Sequence, residues 1–284
     1  VIRTAKRLLL GRELAHMIRT SGVSQSEAGR IIETSQSRIA TLISGGGVIS
    51  PGDLTMLAQG LGFTDPGYLE ALRELRRDNH KRGSWSTGHN RAYRDDLRLL
   101  VDLETYADRV RRVEVEVVPA LLQTESYIRS QHADQPPLDG VSMEDTVQAR
   151  LARQHILDRD DPPVLHAILS ESCVRRQWGD AEVMAEQRAH LVEVSNRPNI
   201  MIQLVPFDAP PGRRSPLGSQ FTLLRVQSPG AAGPLEIVTS ENPGEIRYMD
   251  DQKALDAHDS AWARLSSAAL SFADTRTFIQ RISA

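Results

Sequence analysis

Cysteine and lysine are nearly absent from this 284-residue chain, which holds one Cys (Cys173) and three Lys (Lys6, Lys81 and Lys253). A single thiol excludes an internal disulfide framework and fits a reducing compartment. Scarce lysine leaves 31 of the 34 basic residues as arginine, a bias that follows genome composition rather than binding chemistry. No apolar run approaches the ~18 residues of a membrane span. The first residues, Val1 to Thr4, run into a helical pattern without the apolar stretch of a signal peptide, so a cytoplasmic protein is expected. Eight histidines are scattered with no pair at zinc-ligand spacing. The G-x-S-x-G elbow, the phosphate-binding P-loop and H-E-x-x-H are also missing. No metal, cofactor or catalysis is therefore expected. Cys173 next to Arg175 and Arg176 reads as a small buried residue beside two surface arginines, and not as an activated thiol.

What is present is a split in charge. The net charge is −3. Residues 1–83 carry 12 Lys/Arg against 8 Asp/Glu, a net of +4, while residues 84–284 carry 22 against 29, a net of −7. Such asymmetry fits a nucleic-acid-binding segment joined to something else.

The basic segment is helical and closely punctuated. Leu8, Leu9, Gly11, Leu14, Ala15 and Ile18 lay an apolar stripe on a first helix that ends at Ser21-Gly22. Ser24 and Glu27 form a capping box for a short second helix from Gln25 to about Ile32. Ser35 caps a third helix, which Gly45-Gly46-Gly47 ends. Ser50-Pro51 opens a fourth and Pro66 a fifth. Gln25 to Ser44 thus makes a twenty-residue helix-turn-helix frame. Gly29 is small where two helices cross closely, and Ala28, Ile32, Ile39 and Leu42 fill the shared core. Gln36, Ser37, Arg38 and Thr41 are left on the outer face of the third helix, in the turns that reach base edges in a major groove.

These residues resemble the lambda-repressor-like (Xre) family. Gln25 and Gln36, eleven apart, are similar to the paired glutamines of phage repressors. The resemblance implies that Gln36 reads adenine, with an amide that suits adenine's N6 and N7. It also implies that Gln25 braces Gln36 and contacts phosphate, and that Ser44 stands where a phosphate-binding Asn is common. With Ser24 and Ser35 at helix starts, the expected phosphate contacts are Ser24, Gln25, Ser35 and Ser44. The expected base readers are Gln36, Ser37, Arg38 and Thr41. Glu33 departs from the family, because it fills a turn position usually held by a left-handed Gly. A side chain there costs roughly 1–2 kcal/mol, and its carboxylate repels DNA phosphate.

Beyond residue 78, the polar stretch 79–91 reads as a linker, and 92–284 as one α+β regulatory unit. A helix is expected over 97–107, and a strand where Val113, Val115 and Val117 alternate with Glu114 and Glu116, stopped by Pro119. Helices follow at about 120–131, 142–158, 180–195, 251–270 and 274–282. Further strands are expected at 164–169, 200–207, 221–226, 235–239 and 245–249, the last three as an antiparallel meander. His166 reads as a core or edge histidine. The overall expectation is an all-α N-terminal bundle (1–78) followed by an α+β domain with antiparallel strands.

Several stretches of this second part resemble the C-terminal domain of actinobacterial Xre regulators, the antitoxin-like kind that includes WhiJ-type proteins. They are Val118 to Tyr127, Ala149 to Gln154, Asp161-Pro162-Pro163, Glu171 with Val174-Arg175-Arg176, Pro198 to Phe207, and Gly218 to Leu224. The resemblance implies a transcription factor, often encoded beside a small partner protein, and it supplies no catalytic residues. A lone helix-turn-helix unit contacts one half-site, so a homodimer on an inverted repeat of double-stranded DNA is expected, held mainly beyond residue 90. Two other readings stay open. The C-terminal domain senses a small-molecule effector that gates DNA binding, or the chain is antitoxin-like, neutralising a partner and regulating its own synthesis.

Overall fold

The structure, a computed structural model, describes residues 3–77, 92–134, 136, 138–208, 217–242 and 244–283. The expected linker 79–91 lies outside the described residues. The chain divides into two compact units. The first comprises residues 1–90, Arg98–Tyr106 and Val226–Leu235, and the second holds the remainder.

In the first unit, α1 (Ala5–Ser21) begins at Thr4, whose hydroxyl accepts from the Arg7 N–H, and ends at Gly22 in a left-handed turn of φ +72°. Then come α2 (Gln25–Ile31), α3 (Gln36–Ile43), α4 (Pro51–Gly60) and α5 (Pro66–Arg77). Ser24, Ser35 and Ser50 cap α2, α3 and α4 in extended conformation, each accepting a backbone N–H from the first turn. Leu9, Leu10, Leu14 and Met17 of α1 are buried with Ala28, Ile39, Leu42, Leu54, Leu57 and Leu72. Ile32 is half-exposed rather than part of this core: it caps α2 at the point where the chain leaves the helix.

Two glycines set how closely these helices pack. A Cβ on Gly11 would lie 2.2 Å from the carbonyl oxygen of Ile43, so α1 rests directly on the backbone of α3. A Cβ on Gly29 would lie 2.6 Å from the Thr34 carbonyl oxygen, so the turn folds tightly against α2. The Arg98–Tyr106 stretch of α6 (Asp95–Tyr106) belongs to the same unit. Its buried Asp102 accepts from the Ala5 N–H at 2.6 Å, a carboxylate at the positive end of α1.

The second unit is α+β, built on a six-stranded mixed sheet of order β3-β2-β1-β4-β5-β6. The strands are β1 (Ala107–Glu114), β2 (Val164–Ser170), β3 (Ile200–Val205), β4 (Phe221–Val226), β5 (Leu235–Asn242) and β6 (Glu245–Met249). β5 and β6 pair antiparallel, whereas β1–β2 and β2–β3 are parallel. Parallel pairing needs long crossovers. These carry α7 (Glu125–His132) and α8 (Met143–Gln154), then the short α9 (Ser172–Arg175) and α10 (Ala181–Val194). Val113, Ile168, Val205, Phe221, Leu223 and Val238 form a core with Leu255, Trp262 and Leu265 of α11 (Gln252–Ala268). The last helix, α12 (Phe272–Arg281), is tied to β3 by the Leu204 N–H, which donates to Thr275 Oγ1 at 3.1 Å.

One strand is displaced from its expected position. β1 covers 107–114 and stops before Val115 and Val117. Its Arg112 and Glu114 are buried by pairing at 2.5 Å, and Arg112 also reaches Glu241 at 2.9 Å. Burial pushes the Glu114 carboxyl above its ordinary value, against the pull of Arg112. His166 is half-buried, 2.9 Å from Gln203 Oε1 and edge-on to Trp262.

Candidate nucleic-acid interface

The order of the segment 24–44 comes from its caps. The Ser24 N–H and hydroxyl both donate to Glu27 Oε2 at 2.7 Å, and the Glu27 N–H donates back to Ser24 Oγ at 3.2 Å. These bonds, the backbone one first, hold the Glu27 carboxyl below its ordinary value. The expected capping box is therefore present, and the Ser24 hydroxyl is spent within it. Ser35 Oγ accepts from the Arg38 N–H at 3.2 Å and lies 2.9 Å from Ser37 Oγ. Between the helices Glu33 adopts φ +52°, the one non-glycine residue with positive φ among those described. The turn keeps its left-handed geometry with a side chain in place.

α3 buries Ile39 and Leu42 and exposes Gln36, Ser37, Arg38, Ala40, Thr41 and Ser44. The four expected base readers thus share one exposed face, with Ser44 at its far end. All four are already engaged, Ser37 with Ser35 and Gln36 with Ser26. Thr41 Oγ1 donates to the Ser37 carbonyl at 2.8 Å, and Arg38 Nη2 donates to the Val48 carbonyl at 2.5 Å. Arg38 thus folds back over the glycine turn, where a Cβ on Gly47 would meet its Nη1 at 3.0 Å. Ser44 Oγ donates to the Thr41 carbonyl at 3.0 Å.

The brace on Gln36 differs from the one the resemblance implied. Ser26, not Gln25, donates to Gln36 Oε1, at 3.4 Å. Gln25 opens α2 and is half-buried. One residue later the helix has turned by about 100°, which brings Ser26 round to the head of α3. In sequence, Ser26 is one more polar residue two places after the capping Ser24, and nothing there ties it to Gln36.

Chemically, this face offers amide, hydroxyl and guanidinium groups on the first turns of a helix with one side exposed, suited to base edges in a major groove. Exposed Arg30 adds positive charge, while exposed Glu27 and Glu33 oppose it. Elsewhere Cys173 is buried, and burial pushes its thiol well up, the reverse of activation. Arg176 is taken up by Glu116, and Arg175 by Glu171. Among the described residues no group of His, Cys, Asp and Glu is placed to hold a metal, and no helix is long and apolar enough to cross a membrane.

Two family profiles match the chain. One, described as a helix-turn-helix domain, covers residues 9–72 and so includes the whole segment 24–44. The other, described as a domain of unknown function, DUF5753, covers residues 97–281, well over half of the chain. The chain belongs to the DUF5753 family. No curated protein and no solved structure matches it. The DUF5753 domain thus follows a helix-turn-helix domain of the kind found in DNA-binding regulators, and the exposed residues of α3 lie within that first domain.

Proposed function

We propose that this DUF5753 protein is a sequence-specific transcriptional regulator of the Xre type, acting in the cytoplasm on the nucleoid. The observation that carries this reading is the outer face of α3. Gln36, Ser37, Arg38 and Thr41 are exposed together on a helix whose other side is buried and whose start is capped. Gln36 and its neighbours read bases, and the ends of α2 and α3, with Gln25 and Ser44, lie along the phosphates. The chain works by binding and carries out no catalysis.

The working form is a homodimer on an inverted repeat, with the DUF5753 domain supplying the dimer contact and a site for a small partner protein. The net charge of +4 over residues 1–83 is too small for strong nonspecific attraction. Two linked half-sites about 34 Å apart supply the affinity that one lacks.

Selection of bound duplexes from a random pool, followed by anisotropy titrations, tests the proposal. An inverted repeat is expected to emerge, with Gln36→Ala costing about 1–3 kcal/mol at its cognate base. Retention of specific affinity in the double variant Gln36→Ala, Arg38→Ala would move the reading surface off α3. Light scattering that finds a monomer at micromolar concentration would remove the dimer.

A further inference from the structure

Glu13 is fully buried in the middle of α1, and its carboxylate is met by four donors. Oε2 accepts from the Tyr68 hydroxyl at 2.8 Å and from the Ala231 N–H at 3.0 Å. Oε1 accepts from the Ser228 hydroxyl at 2.6 Å, and the Ala232 N–H lies 3.1 Å from both oxygens. Three of these donors sit within five residues of the segment Val226–Leu235, which belongs to the same compact unit as α1. Gly230 makes the fit possible, since a Cβ there would fall 2.3 Å from Glu13 Cδ. On the neighbouring residue, Arg12 Nη2 donates to the Pro234 carbonyl at 3.1 Å. A buried carboxyl group without hydrogen-bond partners would be costly, and here N–H and O–H groups converge on it.

Two residues before Glu13 stands Gly11, where α1 lies on the carbonyl of Ile43 with no side chain between. A backbone-to-backbone contact has no flexible layer to absorb a shift, so a displacement of α1 passes directly to α3. The face of α3 that carries Gln36, Ser37, Arg38 and Thr41 is exposed, so Val226–Leu235 leaves it uncovered. Its influence on DNA is therefore positional and not occluding.

We propose that Val226–Leu235 is a control strap, which clasps Glu13 and through α1 sets the position of α3, so that DNA affinity follows the state of the strap. This rests on the reading of α3 as the DNA-reading helix. The strap lies within the residues matched by the DUF5753 family. A ligand or partner that draws the strap away is then read out as weaker DNA binding, with a coupling of about tenfold.

The test uses the full chain, with hydrogen exchange read by peptide and anisotropy against the selected duplex. Gly230→Ala is expected to speed exchange in 226–235, α1 and α3 while leaving β2, β3 and α12 at wild-type rates, and to raise Kd about tenfold. Ser228→Ala removes one donor without adding bulk. It is expected to shift both readouts the same way, by about threefold, and it carries the test if Gly230→Ala unfolds the chain. Faster exchange in 226–235 with α1, α3 and Kd unchanged would overturn the proposal. A wild-type chain that binds no duplex would instead overturn the reading of α3, and exchange in α1 would still decide whether the clasp holds that helix.

Discussion

The hydroxyl of Ser26 on α2 donates to Oε1 of Gln36 at the head of α3, across 3.4 Å. With one lone pair of Oε1 engaged, Nε2 is the end of the amide left to lead into a groove, and it donates to a base acceptor such as purine N7. Ser26→Ala frees the amide to rotate. It is expected to lower discrimination at the base pair under Gln36 by about 0.5–1.5 kcal/mol while leaving the salt dependence unchanged. Titrations against duplexes varied at that one pair check this. A uniform loss over all duplexes would mean that Ser26 supports the fold and not the reading.

Gly11 and Gly52 are both helical glycines, and they should respond in opposite directions to the same substitution. Gly11→Ala drives a methyl into the Ile43 carbonyl and is expected to destabilise by about 1–3 kcal/mol. At Gly52, on α4, the nearest contact of a new Cβ is Ser50 Oγ at 3.9 Å. There alanine is expected to stabilise by about 0.5 kcal/mol through the unfolded chain. Urea midpoints of the two variants measure the contrast.

Glu33 holds a left-handed turn that glycine adopts without strain. Glu33→Gly is expected to stabilise by about 1 kcal/mol and to tighten DNA binding by removing a carboxylate from the turn beside α3. The gain in affinity should shrink as salt is raised, because exposed charges are screened. Melting curves and titrations at two salt concentrations separate the strain from the charge.

Acid should weaken the fold through two imidazoles. Burial, the leading cause in each, pushes His166 and His190 below the ordinary 6.5, so the folded chain favours their neutral forms. Well above pH 6.5 both states are neutral and the fold bears no penalty. As the pH falls through 6.5 toward the lower folded values, the unfolded chain takes up protons first and stability is lost. Tm is expected to drop between pH 7.5 and 5.5, and the drop to shrink in His166→Asn. An NMR titration placing His166 above 6.5 would contradict this.

The helices of the first unit were legible because their ends are written in single residues. Ser24, Ser35 and Ser50 cap, Gly22 stops, and Pro51 and Pro66 start. β1 was misplaced for a definite reason. Alternating Val and Glu over 113–117 imitates a half-buried strand, while the true strand buries Arg112 between Glu114, two residues along the same strand, and Glu241 of β5. The parallel half of the sheet leaves no local mark either, since β1, β2 and β3 are short apolar runs whose partners are chosen across long helical crossovers. Contacts such as Ser26 with Gln36 and Glu13 with Ser228 depend on the folded arrangement, and neither pair is special in sequence.

Glu13 and Ser228 are separated by 215 positions, and that distance has a meaning for synthesis. At about 5–20 residues per second, a ribosome needs roughly 10–40 s after making α1 to deliver the donors that bury its carboxylate. During that interval Glu13 stays hydrated, and the N-terminal helices lack one of their layers. The first unit thus cannot close around Glu13 until β1 to β4 of the second have been made.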